Sequence, residues 1–203
     1  IGTDAVLATR VAEDLAERID GTVLPTLSYG YKSKPLSGGG PLFPGTIDMN
    51  GVTVINQMHD VLSELIADGF TKIVVMNAHF ENEAFIVEAI DLVTRETGGV
   101  ATIVETNWWD PVPQSVIDKC SMDWCSPAGH WSMRRHRTSL MLHYAPELVH
   151  MDRMVEEAGA TAKSYVRYPV RQGDVPAPRR TRQSGRLKRR TRPSDCRGVA
   201  WMR

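Results

Sequence analysis

The stretch Lys72-Ile73-Val74-Val75-Met76-Asn77-Ala78-His79-Phe80-Glu81-Asn82 joins an apolar, largely β-branched run to a histidine and a glutamate at spacing i, i+2. An imidazole and a carboxylate that close together offer one nitrogen and one oxygen donor, the ligand types suited to zinc or manganese. The same pair also suits a loop histidine hydrogen-bonded to a neighbour, and a pattern as short as His-x-Glu does not choose between the two. Position adds weight. The apolar run reads as a buried parallel strand over 72–76, and Asn82 opens a helical pattern from Glu83 to about Glu96. In open α/β sheets, ligands and chemistry gather where strands give way to helices at their carboxyl ends.

A third candidate donor, Asp4, stands at the start of another helical pattern. Val6, Leu7, Val11, Leu15 and Ile19 recur at helical spacing within Ala5–Ile19, with Thr3 or Asp4 as the N-cap. A carboxylate there lies beside the positive end of the helix and could serve as an anionic metal ligand. Gly21 stops this helix, Thr22–Leu27 reads as a strand, and Tyr29–Gly45 is a long Gly/Ser/Pro-rich loop of the kind that is usually functional. A second helix is expected over Gly51–Asp68, and after the His79/Glu81 turn and its helix a further strand over Val100–Glu105. That strand leads into Asn107-Trp108-Trp109-Asp110. Helices alternating with strands imply a three-layer α/β/α domain with a largely parallel sheet.

The 203 residues, 42% hydrophobic and 24% charged, suit one medium domain with a real core. No apolar run is long enough for a membrane span. The three cysteines, Cys120, Cys125 and Cys196, are odd in number and form no C-x-x-C pair, which fits a reduced, cytoplasmic compartment. The net charge of zero hides an asymmetry. Ten of the 24 Lys/Arg residues fall in 179–203 beside the single acid Asp195, leaving 14 basic against 23 acidic residues in 1–178.

Several motifs in register resemble the creatininase family of metal-dependent amidohydrolases. They are Tyr29-Gly30-Tyr31-Lys32-Ser33, Ser37-Gly38-Gly39-Gly40, Phe43-Pro44-Gly45-Thr46 and Met76-Asn77-Ala78-His79-Phe80-Glu81-Asn82. The resemblance covers roughly 1–118 and again 138–176. It implies a binuclear site for Zn2+ and/or Mn2+, with Asp4 bridging the ions, His79 binding one and Glu81 the other. It further implies that an activated water attacks the cyclic amide of creatinine to give creatine. Ser37, Phe80 and Trp109 are then the substrate contacts, with Glu81 and Trp109 also serving catalysis and Trp109 covering the planar ring. An aromatic face suits a guanidino-type ring through stacking and cation–π attraction. Trp108 and Trp109 are adjacent, so in an extended segment one of them would face the core. A homo-oligomer, hexameric as in the family, is implied as well. The alternative within the family is an amidase or deformylase acting on another small amide, or an inactive fragment.

The chain also departs from the family pattern. The resemblance implies two further ligands from a Glu-x-His segment upstream of the residue matching Asp4, and the sequence begins three residues before it. Residues 120–137 show no usable period and lack the expected Trp-Asp-x-Glu-His. His130 and Trp124 stand nearby but out of register, while Thr138–His143 and Ala145–Val149 recover a helix interrupted near Pro146. Arg, Cys and Trp crowd into 120–137 and the tail after 178, as a frameshifted reading of a GC-rich gene would produce. The expected organisation is therefore a domain over 1–176 with an irregular 120–137, followed by a basic, disordered tail over 177–203. On that reading the tail is no nucleic-acid arm, and neither nucleic acid nor membrane is a partner. His59, His143 and His150 are read as packing or surface residues rather than ligands.

Overall fold

The computed structural model of the chain describes residues 2–33, 46–113, 115 and 133–153. Ser37, residues 120–132 and the basic tail 177–203 lie outside the described residues, and with them the expectations placed there. The described residues fall into two compact units that divide after Asp110.

The first unit opens with helix α1, Thr3–Ile19. Its N-cap is Gly2 rather than Thr3 or Asp4: Gly2 has φ 87, a left-handed conformation that a residue with a Cβ adopts only with strain, and its carbonyl accepts the Val6 N–H at 2.9 Å. Asp4 therefore sits inside the first turn, where unpaired N–H groups and the helix dipole favour a carboxylate. The strand expected over Thr22–Leu27 does not form. Residues 21–30 are irregular, with Val23, Leu24 and Leu27 exposed, because Pro25 withholds a ladder donor in the middle of the run. The segment is instead tied sideways, Thr26 Oγ1 bonding Thr9 Oγ1 of α1 at 2.5 Å.

Helix α2, Gly51–Ala67, leads to strand β1, Lys72–Asn77; helix α3, Glu83–Thr97, then crosses to strand β2, Thr102–Asn107. The two strands pair in parallel from Lys72↔Thr102 to Asn77↔Asn107, so the fold is α/β with a parallel sheet. β2 lies two residues later than the alternation suggested, because the ladder begins with the Thr102 N–H on the Thr71 carbonyl while Val100 stays exposed. α2 packs along α3, α1 against β1, and α3 against β2. Leu7, Leu62 and Val93 are fully buried, each worth about 1.5–3 kcal/mol of apolar burial. Gly51 opens α2 against the Phe85 ring so closely that any Cβ would overlap it. A polar clip closes the α2–α3 seam, His59 Nε2 to Glu96 Oε2 at 2.7 Å.

In the second unit, helix α4 spans Met133–Tyr144. It starts five residues before the expected Thr138, inside the stretch expected to be irregular. Met133-Arg134-Arg135-His136-Arg137 contains neither Gly nor Pro, and Met and Arg are strong helix formers. Instead of helix over Ala145–Val149, Pro146 starts a single 3-10 turn, Pro146–Leu148. His143 and His150 are exposed.

Candidate functional site

β1 delivers the chain to the site and then turns sharply. After the buried pair Asn77 and Ala78, His79 is extended (φ −129, ψ 116), and a one-turn 3-10 helix, Phe80–Asn82, closes with the Asn82 N–H on the His79 carbonyl at 3.0 Å. This turn folds the His79 and Glu81 side chains together, Nε2 to Oε2 at 3.3 Å. The start of α1 brings in the third residue: Asp4 Oδ2 lies 3.0 Å from His79 Nδ1, 75 positions away in the chain. The result is a carboxylate–imidazole–carboxylate array at the carboxyl end of a parallel strand. Side-chain exposure is 33% for Asp4, 16% for His79 and 9% for Glu81, so solvent screens the contacts within the array less than it would at an open surface.

Sequence reasoning passed over three residues that build this array. Ser33 Oγ stands 3.4 Å from His79 Nε2, a hydroxyl at the edge of the array. Asn82 caps α3 by position but makes no side-chain cap bond; its Oδ1 instead accepts the Tyr31 N–H at 2.8 Å. That contact requires Gly30, since a Cβ there would stand 2.6 Å from Asn82 Oδ1. Asn77 accepts the His79 N–H on Oδ1 at 3.0 Å and so fixes the backbone from which the imidazole projects. The signal for Asn77 was present in the sequence as a polar residue ending a run of apolar ones.

Of the expected substrate contacts, Phe80 is exposed, 53% of its surface facing solvent beside the array. Trp108 and Trp109 are both buried, their rings edge to face at 5.3 Å and 88°. The alternation expected of an extended pair does not apply, because the chain turns there: the Asp110 N–H bonds the Asn107 carbonyl at 3.2 Å. The Trp108 N–H donates to the Asn77 carbonyl at 3.2 Å, which sets this turn beside the end of β1. Near the same end, burial pushes the Glu105 carboxyl above its ordinary range, aided by the negative charges of Glu83 and Asp110 and opposed by a hydrogen bond from the Asn77 carboxamide.

As a donor set, two carboxylates and one imidazole fit a borderline divalent cation. Among the described residues no three such side chains form a ready cage around one point; the three are strung through the imidazole. A cation taken up at a ring nitrogen of His79 would displace the carboxylate now bonded there, leaving that carboxylate free to bind the cation as well.

The chain matches the family described as creatininase, creatinine amidohydrolase, over residues 1–202. It is 39% identical to the creatinine amidohydrolase of Pseudomonas putida, covering 88% of this chain and 70% of that protein. Among solved structures it is similar to a Glu→Gln variant of creatininase complexed with creatine, at 37% identity and TM-score 0.78, over 88% of this chain and 72% of the other. It is also similar to a creatininase variant of Zn-Zn type (38%, TM-score 0.77) and to a manganese creatininase (38%, TM-score 0.75), each over 88% of this chain and 71% of the other.

Proposed function

The chain belongs to the creatininase family, and from that premise we propose that it is a metal-dependent amidohydrolase that opens the cyclic amide of creatinine to give creatine. The observation that carries this reading is the Asp4–His79–Glu81 array at the carboxyl end of a parallel strand. Likeness to creatinine amidohydrolases, one of them complexed with creatine, supports it. On this reading Asp4, His79 and Glu81 hold Zn2+ and/or Mn2+, which when bound lower the pKa of water and polarise a carbonyl. The chain's own residues supply the rest. The carboxylate that stays on the ring nitrogen not taken by the metal would orient the imidazole, and the Asn77 side chain fixes the His79 backbone. Phe80 offers an aromatic face to the planar ring, with Ser37 and Trp109 as its further contacts and Trp109 as its cover. Water adds to the lactam carbonyl carbon, the ring C–N bond breaks, and the departing nitrogen takes a proton, so that creatinine and water give creatine.

The same proposal includes a domain over 1–176, a homo-oligomer of hexameric order and a cytoplasmic location without nucleic-acid or membrane partners. Among the described residues, no helix is long and apolar enough to cross a membrane. The test is an assay of the purified chain with creatinine, a formylamino-pyrimidine and a short peptide side by side, with Mn2+ or Zn2+ added. Creatine is expected to accumulate from creatinine. Turnover of another amide alone would move the chain to a sibling activity in the family, and turnover of none would end the proposal.

A further inference from the structure

The two strands end on the same residue type in the same register, Asn77 opposite Asn107, and both asparagines are buried, 3% and 4% exposed. Their carboxamides face each other, Asn77 Nδ2 donating to Asn107 Oδ1 at 2.7 Å. The pair continues in both directions. Asn77 Oδ1 accepts the His79 N–H at 3.0 Å, and Asn107 Nδ2 donates to Asp110 Oδ2 at 2.8 Å and more distantly to Glu83 Oε2 at 3.4 Å. One end of this chain, a backbone N–H, can only donate, and the other, a carboxylate, can only accept. The sense of both carboxamides is therefore fixed, and no flip of either satisfies the row.

We infer that Asn77 and Asn107 are positioning residues that act as a unit, holding the His79–Glu81 turn and the Trp108–Trp109 turn in one fixed relation. The inference rests on the reading of Asp4, His79 and Glu81 as the metal-holding array. Neither asparagine belongs to that array, and each acts through a neighbour: Asn77 on the His79 backbone, Asn107 on the turn closed by Asp110. A buried hydrogen-bonded pair is costly to break singly, because the remaining partner keeps its desolvated polar atoms. Disturbance at Asn107 thus reaches His79 through Asn77, thirty residues away in sequence.

The test is a double-mutant cycle of Asn77→Ala, Asn107→Ala and both together, read by Mn2+ affinity from calorimetry and by amide hydrogen exchange at His79 without added metal. Asn107→Ala is expected to weaken Mn2+ binding at least fivefold and to speed exchange at the His79 N–H. The double variant should be no worse than Asn77→Ala alone, since residues acting as a unit are not additive. Asp110→Asn, at an exposed position, serves where the alanine variants fail to fold, and is expected to speed exchange at His79 in the same direction. An Asn107→Ala protein that folds and keeps both Mn2+ affinity and His79 exchange within twofold of the parent would overturn the inference, as would strict additivity. If the parent binds no Mn2+, the metal reading fails separately, while His79 exchange still decides whether the two asparagines are coupled.

Discussion

Asn82 accepts the backbone N–H of Tyr31, 51 positions earlier, on its side-chain oxygen rather than an N–H of the helix it begins. An N-cap asparagine usually satisfies one of the first free N–H groups of its own helix, so here local helix stability yields to a long-range tie. The tie anchors the segment carrying Gly30, Tyr31 and Ser33 to the turn that presents His79 and Glu81. Parallel bridging of Tyr31 with Met49, and the Tyr31 ring 4.2 Å from that of Phe85, secure the same place.

Removing that tie should cost stability and geometry together. Asn82→Ala leaves the Tyr31 N–H without its acceptor, a loss of about 1–3 kcal/mol. Gly30→Ala forces a Cβ against Asn82 Oδ1 and should cost about 1–3 kcal/mol by overpacking. Urea unfolding of both variants measures this; values within 0.5 kcal/mol of the parent, taken as roughly the scatter of neutral surface changes, would show that the tie carries no weight.

The array itself should behave as ligand rather than scaffold. His79→Ala and Glu81→Gln are expected to lower ring opening by more than the roughly 10–100-fold typical of losing an outer-shell partner of a metal. Bound Mn2+ or Zn2+ should fall with it, while far-UV circular dichroism stays near that of the parent. Trp109→Ala should instead spare metal content and impair substrate positioning, seen as a changed KM. Metal stoichiometry beside creatinine turnover separates these outcomes, and undiminished turnover in His79→Ala would remove His79 from the site.

The α2–α3 clip is pH-dependent. The hydrogen bond to Glu96, helped by that carboxylate's charge and by Asp60, raises the His59 pKa above its ordinary 6.5, against a smaller desolvation effect. A raised folded value means that the folded chain holds the proton more tightly than the unfolded one. Its stabilisation is therefore fully present below pH 6.5 and is lost as pH rises through the folded value. Thermal melts of the parent and His59→Gln should converge at alkaline pH and separate at acidic pH; a constant gap would refute the clip.

Glu105 gives a trend of the same sign from the opposite chemistry. Its carboxyl is raised above 4.5, chiefly by burial, so the folded state binds its proton more tightly. Stability falls as pH rises from 4.5 through the raised folded value, as the buried side chain takes on charge. Glu105→Gln is expected to raise the melting temperature at pH 7 and to flatten this part of the pH profile. A lower melting temperature at pH 7 would contradict it.

Much of the frame was legible from periodicity. α2, β1 and α3 fall within a residue or so of their expected limits because each joins a regular apolar pattern to a clear stop. Thr22–Leu27 had the composition of a strand, but composition does not supply a partner, and Pro25 removes a donor where one would be needed. The early start of α4 was hidden because the arginines of 134–137 dilute the apolar period without opposing a helix. At the site, His79 and Glu81 were visible through their spacing. The contact of Asp4 with His79, by contrast, is set by how α1 docks and has no local signature. The Asn77–Asn107 pair was invisible for a related reason: two ordinary residues gain their meaning only when the strand register sets them opposite each other.

The separation of Asp4 from His79 has a consequence for how the molecule assembles. The unit from α2 to β2 can form through neighbouring elements, whereas the Asp4 contact must close a loop of 75 positions, whose entropy has to be met before the contact returns anything. Closure of the array is therefore expected late in folding, and its loss early in local opening. Protection against amide exchange in α1 is expected to be lower than in β1, and to rise when a cation draws Asp4 and His79 together. On the proposed metal reading the array would serve as a latch on the first helix, one that a bound cation holds shut.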